Sequence, residues 1–81
     1  MRVISQHGNV DLPYEQIVVC HAMESVIALY NGEIYILGEY SSKEKSYKAM
    51  EMLRKQYKQY VGASVNIYGV FQFPQDDEIE V

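Results

Sequence analysis

The 81-residue chain contains one cysteine and no tryptophan, and it has no long apolar run. The single cysteine, Cys20, excludes an internal disulfide bond and favours a reducing compartment. No apolar run approaches the ~18 residues that a membrane-spanning helix requires. The first residues become polar too early to form the apolar core of a secretory signal peptide. These absences predict a cytoplasmic protein that is not embedded in a membrane.

The length of the chain gives room for a single domain. A chain of this size buries only roughly 60–65% of the surface that its unfolded form exposes. Its composition is nevertheless 48% hydrophobic. Because no disulfide adds stability, association with a second copy is a reasonable way to bury more apolar surface. We predict one domain over residues 1–75, followed by an acidic tail at residues 76–81.

Charge is distributed unevenly along the chain, whose net charge is −4. Residues 43–58 hold six of the seven Lys and Arg residues and two of the eleven acidic residues, and therefore carry +4. The remainder carries −8, so a basic helical ridge is expected on an acidic body. This ridge is either a solvated helix face with local charge compensation or a docking surface for an acidic partner or for the protein's own acidic tail.

Residues 41–62 show the strongest periodicity and predict one amphipathic α-helix, with its body at residues 42–61. Ser41 and Glu44 fit a capping box at its start, and Gly62 fits a left-handed residue at its end. The face expected to pack inward consists of Ala49, Met50, Leu53, Tyr57, Tyr60 and Val61. The opposite face consists of Lys43, Glu44, Lys48, Glu51, Arg54, Lys55 and Lys58.

The rest of the chain has the pattern of short strands. The clearest signal is a hairpin in which two apolar runs flank Asn31 and Gly32, the sequence of a type I′ turn. The β-branched run at residues 17–21 favours a strand in the middle of a sheet. Pro13 and the three residues after it are expected to form a turn or a short 3₁₀ helix. The predicted strands span residues 2–6, 10–12, 17–21, 26–30, 33–37 and 67–73.

Together these signals predict an α+β domain. It contains a mostly antiparallel sheet of about five to six short strands packed on one amphipathic helix, in the order β-β-β-β-β-α-β. The sheet is expected to be antiparallel because short turns join the strands that precede the helix. One face should lie against the helix, and the other should face solvent or a second subunit.

Three stretches carry a resemblance to a known group: R-V-I-S-Q-H-G-N-V-D-L-P-Y-E, Y-S-S-K-E-K-S-Y-K-A-M-E-M-L-R-K-Q-Y and F-Q-F-P-Q-D-D. In combination they resemble small uncharacterised proteins encoded by phages and integrated mobile elements of low-GC Gram-positive bacteria. The resemblance spans nearly the whole chain. It implies a genomic setting, but it implies no activity and assigns no functional residue.

Candidate catalytic and metal-binding residues are few. Cys20 and His21 invite a nucleophile and base, but adjacent side chains of a strand point to opposite faces. The spacing of His7, Cys20, His21 and Glu24 matches no recurrent set of zinc ligands. The acidic residues of the C-terminal segment lack the glycine-punctuated loop of calcium sites. No glycine-rich phosphate loop is present. We therefore predict no enzymatic activity, no cofactor, no metal and no small-molecule substrate.

Eight tyrosines are the most unusual feature of the composition. Tyrosine either wraps a small core or contributes to protein–protein contacts, in which it is enriched. We predict a non-enzymatic accessory protein that acts through protein–protein contacts and self-association, with a homodimer as the simplest form. The alternative is a nucleic-acid-binding or DNA-mimicking regulator that uses the basic face of helix 42–61. The possible interaction surface consists of Lys43, Lys48, Arg54, Lys55, Lys58, Tyr30 and Tyr35.

Overall fold

The structure, a computed structural model, describes residues 1–62 and 69–81. Its elements are β1 (Arg2–Ile4), β2 (Asp11–Pro13), a 3₁₀ helix (Tyr14–Gln16), β3 (Val18–Ala22), β4 (Ser25–Tyr30), β5 (Glu33–Glu39), α1 (Lys43–Gly62), β6 (Val70–Gln72) and a second 3₁₀ helix (Asp76–Glu78). The predicted α+β class with one helix is confirmed. In these two ranges no helix is both long and apolar enough to cross a membrane. The predicted strand at residues 67–73 lies partly outside the described residues.

Strands β3, β4 and β5 form one sheet in which neighbouring strands are antiparallel. The β4–β5 hairpin turns at Asn31 and Gly32, whose φ angles are 50° and 79°. A type I′ turn requires positive φ at both positions, so the predicted turn is confirmed. The β3–β4 hairpin closes through Met23 and Glu24, and Met23 has a φ of 57°. No glycine marks this second turn, so the sequence did not predict it.

Strand β3 lies at the edge of this sheet, so the prediction that residues 17–21 form a middle strand was wrong. A run that is apolar on both faces usually indicates a strand covered on both sides. Here the side chains of Val19 and His21 point toward the helix, whereas Val18 and Cys20 point away from it. Within the described part of the chain, no second layer therefore packs against these outward-pointing apolar side chains.

Strands β2, β1 and β6 form a second sheet. Strand β1 is antiparallel to β2, as predicted, and parallel to β6. The prediction of a single sheet was therefore wrong. Turn residues predict only antiparallel pairing between strands that are adjacent in the sequence. The pairing of β1 with β6 joins strands from opposite ends of the chain.

Gln6 connects the two sheets. Its backbone N–H donates to the carbonyl of Leu37 at 2.7 Å. Its side-chain amide accepts a hydrogen bond from the N–H of Glu39 at 3.0 Å and donates to the carbonyl of Glu39 at 3.2 Å. These three bonds occupy the edge of β5 near its end, so that part of the edge is not open to another strand.

The helix begins at Lys43, one residue later than predicted. The hydroxyl of Ser42 accepts a hydrogen bond from the N–H of Lys45 at 3.2 Å, so Ser42 rather than Ser41 caps the first turn. Ser41 instead donates its backbone N–H to the carboxylate of Asp76 at 2.7 Å. Gly62 is still helical and does not take positive φ, so the predicted left-handed terminus at this residue was wrong.

The core lies between the helix and the inner side of the β3–β4–β5 sheet and continues to the second sheet. Ala49 and Leu53 of the predicted inward stripe are buried, whereas Val61 is 59% exposed. Ser46 is fully buried although its type did not predict a core position. The other residues of the core are Met1, Val3, Leu12, Val26, Ala28, Leu37, Tyr40, Phe71, Phe73 and Ile79.

The segment predicted as an acidic tail contacts the folded body. Ile79 is 4% exposed and belongs to the core. Asp76 accepts hydrogen bonds from Ser41 and from the ammonium group of Lys45, the latter at 3.3 Å. Glu78 and Gln75 form a reciprocal capping box on the second 3₁₀ helix. These contacts therefore anchor the C-terminal segment at the start of helix α1.

Candidate functional site

The outward side of the β3–β4–β5 sheet carries six apolar side chains in two rows. The cross-strand register places Val18, Leu29 and Ile34 in one row. It places Cys20, Ile27 and Ile36 in the next row. We call these six residues the outer face. A third row, formed by Ala22, Ser25 and Glu39, continues it toward the end of the sheet.

The outer face is exposed to an extent that is unusual for apolar side chains. Ile34 is 68% exposed, Val18 58% and Ile36 53%. Single exposed apolar residues are ordinary on protein surfaces, but a large contiguous apolar patch marks an interaction site. No charged side chain lies within the two apolar rows. The outer face is therefore the strongest candidate site for a protein–protein contact in the described part of the chain.

The opposite side of the same sheet faces helix α1 and the core. Val26, Ala28 and Leu37 are each completely buried there. The molecule measures 36 × 32 × 18 Å, so it is flat along one direction. A helix packed on a sheet accounts for a thickness of this size, because such layers lie ~10 Å apart. No second layer of the described chain covers the outer face.

His21 and Cys20 point to opposite sides of the sheet, as predicted. Nε2 of His21 hydrogen-bonds to the hydroxyl of Ser46, and the imidazole stacks on Tyr47 with ring centroids 4.0 Å apart. The Ser46 hydroxyl donates to the carbonyl of Lys43 at 2.8 Å, so it accepts the hydrogen bond from His21. His21 therefore does not act as a base toward Ser46. Ser46 is also fully buried, so its hydroxyl is not accessible to a substrate.

Metal ligation finds no support in the described part of the chain. Within residues 1–62 and 69–81, no group of three or more His, Cys, Asp or Glu side chains is placed to hold a metal ion. His7 is exposed, on a turn that follows β1, whereas His21 is engaged with Ser46. The histidines are therefore not held in a common site.

Two groups with shifted pKa values, Asp76 and Tyr40, lie where the C-terminal segment contacts the rest of the fold. The backbone N–H of Ser41, and to a smaller extent Lys45, hold the pKa of Asp76 below its usual value. Burial raises the pKa of the Tyr40 phenol, whose hydroxyl donates to the carbonyl of Pro74 at 2.9 Å. Both groups stabilise the joint between helix α1 and the C-terminal segment, and neither is placed as an acid or base for catalysis.

The basic residues predicted as an interaction surface are separated along the helix. Lys43 is exposed at its start. Lys48 and Lys55 both approach the carboxylate of Glu51, at 3.7 and 3.5 Å. Glu51 and Lys55 have the favoured i,i+4 spacing. Arg54 and Lys58 lie one turn apart near the C-terminal half of the helix. Among the described residues, neither Arg54 nor Lys58 takes part in an ion pair.

Tyr30 and Tyr35, predicted as part of the interaction surface, lie at the β4–β5 hairpin and are half-buried against the core. The register pairs Tyr35 with Ala28, which places it on the side of the sheet that faces the helix. The hydroxyl of Tyr35 donates to the carboxylate of Glu33 at 3.0 Å. The exposed apolar residues of the same hairpin are Leu29, Ile34 and Ile36.

Comparisons with protein-family models, with curated proteins and with solved structures found no match to this chain. The candidate site is therefore defined by the geometry of the chain alone.

None of the six outer-face residues belongs to the interaction surface predicted from the sequence. The signal was nevertheless present, because strands β4 and β5 have apolar residues at both odd and even positions. When one helix is available to cover a sheet, the second set of apolar positions has to remain exposed or find a partner. Strand register, which the sequence did not specify, was needed to show that Val18 and Cys20 join the same patch.

Proposed function

We propose that this chain is a non-enzymatic accessory protein that acts through protein–protein contacts, and that the outer face binds a second copy of the same chain. The observation that carries this proposal is the pair of uncharged apolar rows, in which Ile34 and Ile36 are more than half exposed. The genomic setting that the resemblance implies, a phage or integrated mobile element, and a cytoplasmic location are part of the same proposal.

A second copy fits this face because its two rows are apolar and contain no charged side chain. In a two-fold dimer the same patch is used by both subunits, so an uncharged patch is complementary to itself. Two sheets pack face to face ~10 Å apart with their strands within about 30° of each other. The resulting dimer would be a sandwich of four layers, with the two helices on the outside.

The size of the face sets the expected affinity. Three strands spaced ~4.8 Å apart and ~20 Å long give a footprint of roughly 300 Å² per protomer. Removing about 600 Å² of apolar surface from water contributes roughly 15 kcal/mol. Association itself costs ~4–15 kcal/mol. These limits leave between zero and about 11 kcal/mol of net binding free energy, which spans dissociation constants from ~10 nM upward. Because an interface of about 600 Å² is well below the standard size, we expect the weak end of this range, micromolar or higher.

The alternative function, a nucleic-acid-binding or DNA-mimicking regulator using the basic face of helix 42–61, has less support. Glu51 lies between Lys48 and Lys55 and neutralises part of their field. Lys45 is engaged with Asp76. The body outside the ridge is strongly acidic, which opposes the sequence-independent attraction to phosphates that dominates most nucleic-acid binding.

The unique thiol offers a test that requires no change to the sequence. Cys20 lies in the second apolar row of the outer face, so dimerisation should protect it. We expect the second-order rate of labelling by a maleimide to fall at least several-fold as protein concentration rises through the dissociation constant. We also expect fully labelled protein to remain monomeric, because the bulky adduct blocks the face. A labelling rate independent of concentration would contradict the proposal.

A further inference from the structure

A second surface, remote from the outer face, has the features of a peptide-binding groove. It is an open groove of about 510 Å³ that runs along the C-terminal half of helix α1. Tyr14, from the 3₁₀ helix before β3, and Tyr57 both line it, and their rings are in direct contact, with centroids 4.6 Å apart. Val61, 59% exposed, lies at its end. The groove thus has an apolar lining that the described chain leaves uncovered.

Positive charge surrounds this apolar lining. Arg54, Lys55 and Lys58 border the groove, against a single acidic residue, Glu51. Glu51 is shared between Lys55 and Lys48, and among the described residues neither Arg54 nor Lys58 takes part in an ion pair. One guanidinium and one ammonium group therefore border the groove without a counter-charge. An occupant of this groove gains most if it is acidic.

We propose that this groove binds an acidic polypeptide segment of a partner protein, with one apolar side chain of that segment packed against the surface that Tyr14 and Tyr57 form together. Tyrosine and arginine are the residue types that most often supply the binding energy at such contacts. A volume of about 510 Å³ accommodates one large apolar side chain and its neighbours. The acidic residues on either side of that anchor would pair with Arg54 and Lys58.

A short acidic peptide suits the charge distribution better than a nucleic acid does. Electrostatic attraction is screened within ~8 Å at physiological salt, so a short ligand responds mainly to the three cations around the groove. A nucleic-acid strand would extend beyond them to the acidic body of the protein, where the field is repulsive. The local basic field therefore favours a short anion, and the apolar lining favours one that carries an apolar side chain.

The groove is independent of self-association. It lies on the helix side of the molecule, whereas the outer face lies on the other side of the β3–β4–β5 sheet. A dimer formed through the outer face would leave both grooves exposed. The two proposals can consequently fail separately, and they predict opposite effects of salt: added salt weakens peptide binding and reduces repulsion between two acidic protomers.

The test uses a fluorescein-labelled peptide of nine residues, in which Asp and Glu flank a central Leu–Phe pair, and follows its anisotropy with the full chain. Two comparison probes replace either the acidic residues with Ser and Gln or the Leu–Phe pair with Ser. A fourth probe is a single-stranded oligothymidine of equal charge. We expect the first peptide to bind at least ten-fold more tightly than the three others, and several-fold more weakly at 300 mM than at 50 mM salt.

Matched charge reversals locate the site. We expect Arg54→Glu and Lys58→Glu each to weaken binding of the acidic peptide at least ten-fold, whereas Lys43→Glu, the same charge change at the other end of the helix, should leave it within two-fold. All three positions are exposed, so the variants should fold; circular dichroism verifies this. Equal loss in all three variants would show non-specific attraction and overturn the proposal. So would tighter binding of the oligothymidine, or no detectable binding of the peptide at 1 mM protein.

Discussion

Replacing Ile34 with lysine should abolish self-association while leaving the fold of the protomer unchanged. Ile34 lies in the first row of the outer face and is 68% exposed in the single chain. Full burial of an isoleucine side chain contributes ~1.5–3 kcal/mol relative to full exposure. Burying the exposed two-thirds in a dimer therefore contributes about 1–2 kcal/mol for each protomer.

Because a two-fold dimer contains two copies of Ile34, the loss is counted twice. A loss of about 2–4 kcal/mol raises the dissociation constant roughly 30- to 1,000-fold. The ammonium group of the new lysine adds the cost of burying a charge without a partner, so this range is a lower bound. The stability of the dilute protomer should change by no more than about 0.5 kcal/mol, since the site is exposed there.

Sedimentation equilibrium between about 1 μM and 1 mM measures the effect. Val70→Lys provides the control, because Val70 is an exposed apolar residue of the other sheet, 37% exposed, and should leave the dissociation constant unchanged. Association of Ile34→Lys as strong as that of the parent protein would contradict burial of Ile34 in the dimer. Equal weakening in both variants would also contradict it, since the effect would then come from added charge rather than from the outer face.

Three further predictions concern the fold that supports these surfaces. Gly38→Ala should destabilise the domain by about 1–3 kcal/mol in chemical denaturation, because a Cβ at this position would lie 2.8 Å from the ring of buried Tyr40. Ser46→Ala should cost about 1–3 kcal/mol in the same assay, since it leaves the buried side of His21 without its hydrogen-bond partner. Asp76→Asn should flatten the loss of thermal stability between about pH 5 and pH 3, because the folded state lowers the pKa of Asp76 and its stabilising effect is lost on protonation.

Each of these predictions has a control or a contradicting result. Gly62→Ala introduces a methyl group with no atom within 4 Å and should be neutral or stabilising, so equal destabilisation would refute the clash argument. Ser46→Thr keeps the hydroxyl and should recover part of the loss, whereas a Ser46→Ala variant as stable as the parent would show that the hydrogen bond to His21 contributes nothing. An unchanged pH profile in Asp76→Asn would show that Asp76 does not fasten the C-terminal segment.

Local features of the fold were predictable because they depend on short stretches of sequence. Asn31 and Gly32 specify a turn that requires positive φ, and the periodicity of helix α1 specifies its inward stripe as far as Tyr60. The turn at Met23 was not predictable, because a methionine gives no signal for positive φ. The parallel pairing of β1 with β6 was also inaccessible, since it joins residues far apart in the sequence.

The candidate site was predictable only in outline. The excess of apolar residues on two-sided strands predicted that one face of the sheet would meet solvent or a second subunit. Tyr30 and Tyr35 were selected for their residue type, yet the register places Tyr35 on the inner side and Ile34 and Ile36 on the outer side. A shift of one residue exchanges the two faces of a strand, and composition carries no information about that register.

The most direct test of self-association through the outer face is the solution mass by light scattering, measured from about 1 μM to 1 mM at two salt concentrations. The protomer has a mass of 9.4 kDa. We expect the mass to rise toward twice that value with concentration, and to do so at lower concentration in high salt, because salt screens the repulsion between two protomers of charge −4. A mass that stays at that of one protomer up to 1 mM in high salt would contradict the account.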